Sequence, residues 1–104
     1  MGVTRTAQEK IEPFYFTSYD RVIGVAGNVK QLDIEMKRLL REDRACLEYH
    51  LGSGNIVKWL QYADEPDLAM ELTGVVNGDQ AVVLIEKHIA RAIVFHRMKR
   101  GRMH

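Results

Sequence analysis

Cys46, Glu48 and His50 come closest, of all the residues in this 104-residue chain, to a reactive set. Thiolate, carboxylate and imidazole are common ligands of zinc and related divalent metals, and three of them at period two would share one face of a strand. His88 would add a donor from a helix. The plainer reading of the same spacing is the polar side of an amphipathic strand, turned to water together with His50. Cys46 is the single cysteine, which excludes an intrachain disulfide and any zinc site needing two thiolates from one chain, and fits a reducing cytoplasm. As a nucleophile it would need a base and a cleft that sequence order does not supply. Cys46 is therefore expected to pack as a small, half-buried residue, and no catalytic residue and no cofactor are assigned.

Glycine spacing suggests phosphate chemistry in two places and supports it in neither. Gly52-Ser53-Gly54 reads as a strand-to-helix turn with Lys58 close behind, where free N–H groups and a helix end can hold an anion. The third glycine of a dinucleotide fingerprint would fall at Val57, and the Lys-Ser/Thr end of a P-loop is missing, so a tight structural turn is expected. Gly24-Val25-Ala26-Gly27 matches the G-x-x-G of KH modules only in spelling, because its upstream segment reads as β and its central residues are apolar. Met1-Gly2 with Thr6 fits the short myristoylation pattern by coincidence.

The layout of charge is more informative than these motifs. The net charge is +1 with histidines neutral, which suggests no nucleic-acid, membrane or acidic partner by itself. Residues 81–104, however, carry Lys87, Arg91, Arg97, Lys99, Arg100 and Arg102 against Glu86 alone, a balance of +5 that leaves −4 for residues 1–80. From Trp59 to Gln80 there are five acids, Asp64, Glu65, Asp67, Glu71 and Asp79, and no lysine or arginine. Arg91, Arg97, Lys99, Arg100 and Arg102 are thus the candidate phosphate- or nucleic-acid-binding residues. The same cations would also suit the acidic stretch of this chain or of a neighbouring copy, and the plainest alternative is a solvated, fraying tail.

The elements that must position these groups follow from periodicity. Phe14–Thr17 is aromatic and β-prone after Pro13, which predicts a strand over 14–18. Asn28 and Gln31 form a capping box for a helix with the stripe Val29, Leu32, Met36, Leu39 and Leu40, leaving Lys30, Lys37, Arg38 and Arg41 mainly to solvent. Residues 45–51 alternate, which predicts the second strand. Short helices follow on the stripes Ile56, Trp59, Leu60, Ala63 and Leu68, Leu72, Val75, with Trp59 as a core anchor and Pro66 opening the second. After Asn77-Gly78, the spacing of Val82, Ile85, Ile89, Ile93 and His96 predicts the longest helix; its β-branched runs permit strands, but no turn residue separates them.

The aromatic strand Phe14-Tyr15-Phe16, the segment Leu47-Glu48-Tyr49-His50, the Gly54-Asn55-Ile56 turn into Trp59-Leu60, Asp67-Leu68-Ala69 and the closing Leu84-Ile85 with Ile89 together resemble an uncharacterised domain-of-unknown-function family of small archaeal and bacterial proteins. The resemblance spans roughly residues 14–90. It differs at Asn55 and Ile56, where the family often has an acidic residue and an aromatic, and it implies a fold without a reaction.

The expectation is an α+β, predominantly helical domain over residues 14–96, with about four helices on a two-stranded sheet, a 1–13 extension and a basic 97–104 tail. The order strand, helix, strand permits a parallel pair. The expected role is a non-enzymatic protein-interaction or regulatory module in the cytoplasm, with a protein partner or itself as a homo-oligomer. The alternatives are a nucleic-acid-associated protein using the basic C-terminus, or an enzyme or metal site near Glu48 and His50. The longest unbroken apolar run, Ala81–Ile85, is too short for a membrane span.

Overall fold

Aromatic alternation makes the first element. In β1 (Phe14–Ser18) Phe14 and Phe16 are buried while Tyr15 and Thr17 face out. The computed structural model describes residues 11–101, and there β1 pairs antiparallel with β2 (Arg21–Ala26), not parallel with residues 45–51. The two-residue link Tyr19-Asp20 takes positive φ at both positions, 50° and 68°, the handedness a tight hairpin needs to match strand twist. Register passes from Phe16↔Gly24 to Thr17↔Val22, so Ile23 is an extra residue that bends the hairpin.

α1 (Val29–Glu42) starts as its capping pattern predicts: Asn28 Oδ1 accepts from Gln31 N at 2.8 Å and Gln31 Oε1 accepts from Gly27 N at 2.7 Å. Leu32, Met36 and Leu39 are buried along its inner face. Arg38 is not left to solvent. Its Nη2 donates to Ile23 O and to Glu35 Oε1, each at 2.6 Å, clamping the helix to the bulged strand. Gly24 makes room for the clamp, since a Cβ there would lie 2.6 Å from Glu35 Oε1 and 3.0 Å from Arg38 Nη2.

The segment expected as the second strand is α2 (Arg44–Gly52). Asp43 alone separates it from α1: its N–H donates to Leu39 O at 2.7 Å, ending one helix, and its Oδ1 accepts from Cys46 N at 3.1 Å, starting the next. Residues 45–51 contain no β-branched side chain. What is buried is Cys46, Leu47, His50 and Leu51, a helical spacing, with Ala45 and Tyr49 exposed. Leu47 and Leu51 are four apart, a separation common to both periods, and that coincidence produced the apparent alternation.

α3 (Asn55–Tyr62) buries Ile56, Trp59 and Leu60, and Trp59 Nε1 donates to Glu12 O at 2.8 Å, pinning the chain ahead of β1. Gly54, at φ 82°, makes Gly52-Ser53-Gly54 a helix-to-helix link rather than a strand-to-helix one. α4 (Pro66–Leu72) buries Leu68, Ala69 and Leu72. α5 (Gly78–Gly101) is one continuous helix, so helix persists past residue 96 into the segment expected as a tail, with Arg102 outside the described residues. The described residues therefore hold five helices rather than four, and a two-stranded antiparallel sheet, in a helix-dominated α+β fold.

The start of α5 is locked onto α2. Glu48 Oε2 accepts from Gly78 N at 2.7 Å and from Arg44 Nη1 at 3.1 Å, and Arg44 Nη2 reaches Asp79 Oδ2 at 2.9 Å. Gly78 is close-packed: a Cβ there would fall 2.8 Å from Leu40 Cδ1 and 3.2 Å from Leu47 Cδ2. Glu48→Ala, which strips the acceptor from a half-buried N–H, is expected to lower stability by about 1–2 kcal/mol in urea titration. Glu48→Gln keeps an acceptor and should recover about half of that loss. Equal losses in the two variants would rule out the cap.

Candidate functional site

A helix divides the trio that a strand would have kept together. Four residues apart, Cys46 and His50 share the side of α2 that meets β1, while Glu48, two residues from each, is carried round toward α5. Among the described residues no three His, Cys, Asp or Glu side chains gather in metal-binding range. His88 stands elsewhere, its Nε2 3.9 Å from Glu65 Oε1.

His50 is 3% exposed, where a water-facing position was expected. Its Nε2 lies 3.1 Å from both the nitrogen and the oxygen of Thr17, and its Nδ1 3.2 Å from Asn55 Nδ2. With the proton on Nε2, Thr17 O accepts and the Asn55 amide donates to Nδ1. With it on Nδ1, Thr17 N–H donates to Nε2 and Asn55 presents its oxygen. Either tautomer engages both ring nitrogens. Phe14, Phe16 and Tyr49 stand edge-on to the imidazole at centroid distances of 5.2–5.5 Å and shield these bonds from water. Cys46 Sγ also points at Thr17 O, at 3.6 Å. Burial, with Asp43 beside it, pushes the Cys46 thiol above its ordinary range, so at neutral pH it is a thiol and a poor nucleophile.

Two surface depressions lie among the described residues. One, of about 510 Å³, lies between the hairpin turn and the start of α2, lined among others by Tyr19, Asp20, Asp43, Cys46 and Tyr49. Tyr19 is 95% exposed at its left-handed φ, so it contributes almost nothing to the core and carries backbone strain. The other, of about 420 Å³, is a notch between α4 and α5 lined by Asp67, Met70, Glu71, His88, Arg91 and Ala92. Arg91 Nη2 donates to Glu71 Oε2 at 2.6 Å, and Glu71 Oε1 is buried without a hydrogen-bond partner among the described residues. Met70, at 75% exposure, stands at its rim. The acid-only stretch from Trp59 to Gln80 was the sequence signal for this notch; its pairing with α5 was not readable. Of the five basic candidates, Arg91 is thus in an ion pair, Arg97, Lys99 and Arg100 lie on the final turns of α5, and Arg102 lies outside the described residues. No helix among the described residues is long and apolar enough to cross a membrane.

No family model, no curated protein and no solved structure matches the chain.

Two measurements check this geometry. Native Cys46 is expected to react with iodoacetamide at least tenfold more slowly than in urea, with the native rate rising only above the usual thiol pH range. Fast labelling at pH 7 would contradict the burial. Tyr19→Asn with Asp20→Gly installs the residues a left-handed turn prefers and should stabilise the fold by about 1 kcal/mol. A loss of stability would show that Tyr19 contributes contacts its exposure hides.

Proposed function

We propose that the chain is a non-enzymatic protein-interaction module that acts as a homo-oligomer, its partner being a second copy of itself. The observation that carries this reading is the second half of α5. From Ala90 to Val94 every residue is exposed, and two of them, Ile93 and Val94, are β-branched hydrocarbons open to water by 53% and 51%. A helix of a folded domain normally buries its apolar stripe. Here the body covers Ile85 fully and Val82 and Ile89 in part, and the stripe then continues to Ile93 with nothing over it among the described residues. The engagement of Cys46 and His50 with Thr17 supports a structural use of the groups that suggested chemistry. A buried free thiol supports a cytoplasmic setting. The resemblance to small archaeal and bacterial proteins belongs to the same proposal and adds no reaction to it.

The second reading is nucleic-acid association through Arg97, Lys99, Arg100 and Arg102, favoured by the spacing of three cations within four residues at a helix end. Arg91 contributes less to it, since its charge is already matched by Glu71.

Sedimentation equilibrium from about 1 to 200 µM is expected to follow a monomer–dimer curve, because a helix-pair interface of modest area gives micromolar affinity. Ile93→Asp with Val94→Asp should be monomeric over that range, with an unchanged far-UV circular dichroism spectrum. A monomeric wild type that binds a DNA or RNA duplex, loses binding with added salt and loses it on removal of residues 97–104 would select the second reading instead.

A further inference from the structure

Tyr19 stands where the hairpin would be easier to build without it. Its φ of 50° and that of Asp20, 68°, suit asparagine and glycine better than an aromatic, and Tyr19 is 95% exposed. Neither the turn nor the core accounts for the ring. Tyr49, which lines the same depression of about 510 Å³, is a second aromatic left 64% exposed. An aromatic stabilises a fold by being buried, so two open rings lining one cavity have an occupant still to find.

The other groups of the cavity give that occupant its charge. Asp20 and Asp43 both line it, and among the described residues neither has an ion-pair partner. Arg44, next to Asp43 in the chain, reaches Glu48 and Asp79 instead. Asp43 Oδ1 accepts from Cys46 N, which holds the carboxylate in place. Tyr49 is likewise held, edge-on to the buried His50 at 5.2 Å. Residues 1–80, at net −4, draw cations in the same sense.

We infer that this cavity binds an organic cation of the alkylated ammonium class, its methyl groups against Tyr19 and Tyr49 and its charge balanced by Asp20 and Asp43. A ring face attracts a cation through its quadrupole, and the gain is greatest when the ion is desolvated. A plain ammonium holds its water and would meet exposed carboxylates without any need for two tyrosines. An alkylated head has carbon to lay on the rings and no N–H in need of an acceptor. The Thr17 carbonyl, the backbone acceptor at this cavity, already faces His50 and Cys46. The left-handed turn is then what brings the Tyr19 ring to the cavity. The same head group is carried by a free choline-like molecule and by a trimethylated lysine on a protein. The site does not involve Ile93 or Val94 and does not depend on self-association.

The test is a titration of the full chain with choline, followed by NMR of the tyrosine rings. Saturable shifts at Tyr19 and Tyr49 are expected, with a Kd of about 1–10 mM. The uncharged analogue with carbon in place of nitrogen should bind at least about tenfold more weakly. Tyr19→Asn and Tyr49→Leu should each weaken choline binding about threefold or more. Asp43→Asn keeps a capping residue and removes the charge, and together with Asp20→Asn it should weaken binding about fivefold. Tyr19→Asn with Asp20→Gly separates binding from folding: it should gain stability, as its turn geometry requires, while losing choline. A trimethyllysine peptide binding about tenfold more tightly than choline would place the head group on a protein, and equal binding of the two would place it on a free molecule. Equal binding by the unmodified lysine peptide would overturn the alkylated class. Equal binding of choline and its uncharged analogue, or binding that survives loss of both tyrosines, overturns the site. So does the absence of any shift at either ring in about 100 mM choline.

Discussion

A two-stranded sheet has two free edges, and here the free backbone of β1 at Thr17 is met by an imidazole instead of a third strand. Both the N–H and the C=O of Thr17 lie 3.1 Å from His50 Nε2, with Phe14 and Phe16 closing off water. Buried polar contacts of this kind are costly to leave unmade, so the contact fixes where α2 lies against the hairpin. The rest follows from α2. Asp43 at its start joins it to α1 without a loop, and α1 reaches back to the hairpin through Arg38. Glu48, on another side of α2, holds the first N–H of α5. The nine residues of α2 thus set the direction of the long helix relative to the sheet.

How much of this was legible in the sequence depends on whether a local signal was unique. The Asn28–Gln31 capping box and the stripe from Leu32 to Leu39 have one interpretation, and α1 forms as written. Trp59, a large side chain on an apolar stripe, is buried as its position required. Residues 45–51 failed because Leu47 and Leu51 satisfy two periods at once. The deciding signals were the missing β-branched residues and Asp43, whose side chain can cap a helix three residues on. β2 was missed because its turn is Tyr-Asp, without the glycine that usually marks a left-handed pair, and because Gly24 and Gly27 suggest a loop. Once α2 is a helix, the Cys46, Glu48 and His50 set dissolves as a shared face, since the candidate site depended on the period. The notch was half legible: its acids stand together in sequence, but that α5 would bring Arg91 to Glu71 is a tertiary fact.

Charge separation along this chain is a consequence of helix stiffness as much as of composition. A flexible 97–104 tail would fold onto the nearest acids, and +5 and −4 would cancel within one molecule at little cost beyond chain entropy. α5 instead stays helical through Gly101, so the backbone of its final turns follows the helix axis onward from Arg91.

The exposed part of α5 needs little from the body in order to exist. Helix nucleation is the costly step, and it is complete where Ala81 and Ile85 are buried; each residue beyond Ile89 only propagates a helix already formed. Propagation favours alanine, lysine and arginine, which this segment has in number, and it does not call for Ile93 or Val94, whose branched side chains lower helix propensity slightly. Their presence is therefore explained neither by the local stability of the helix nor by the core, which they do not enter. Two exposed hydrocarbons gain free energy only where another surface removes them from water.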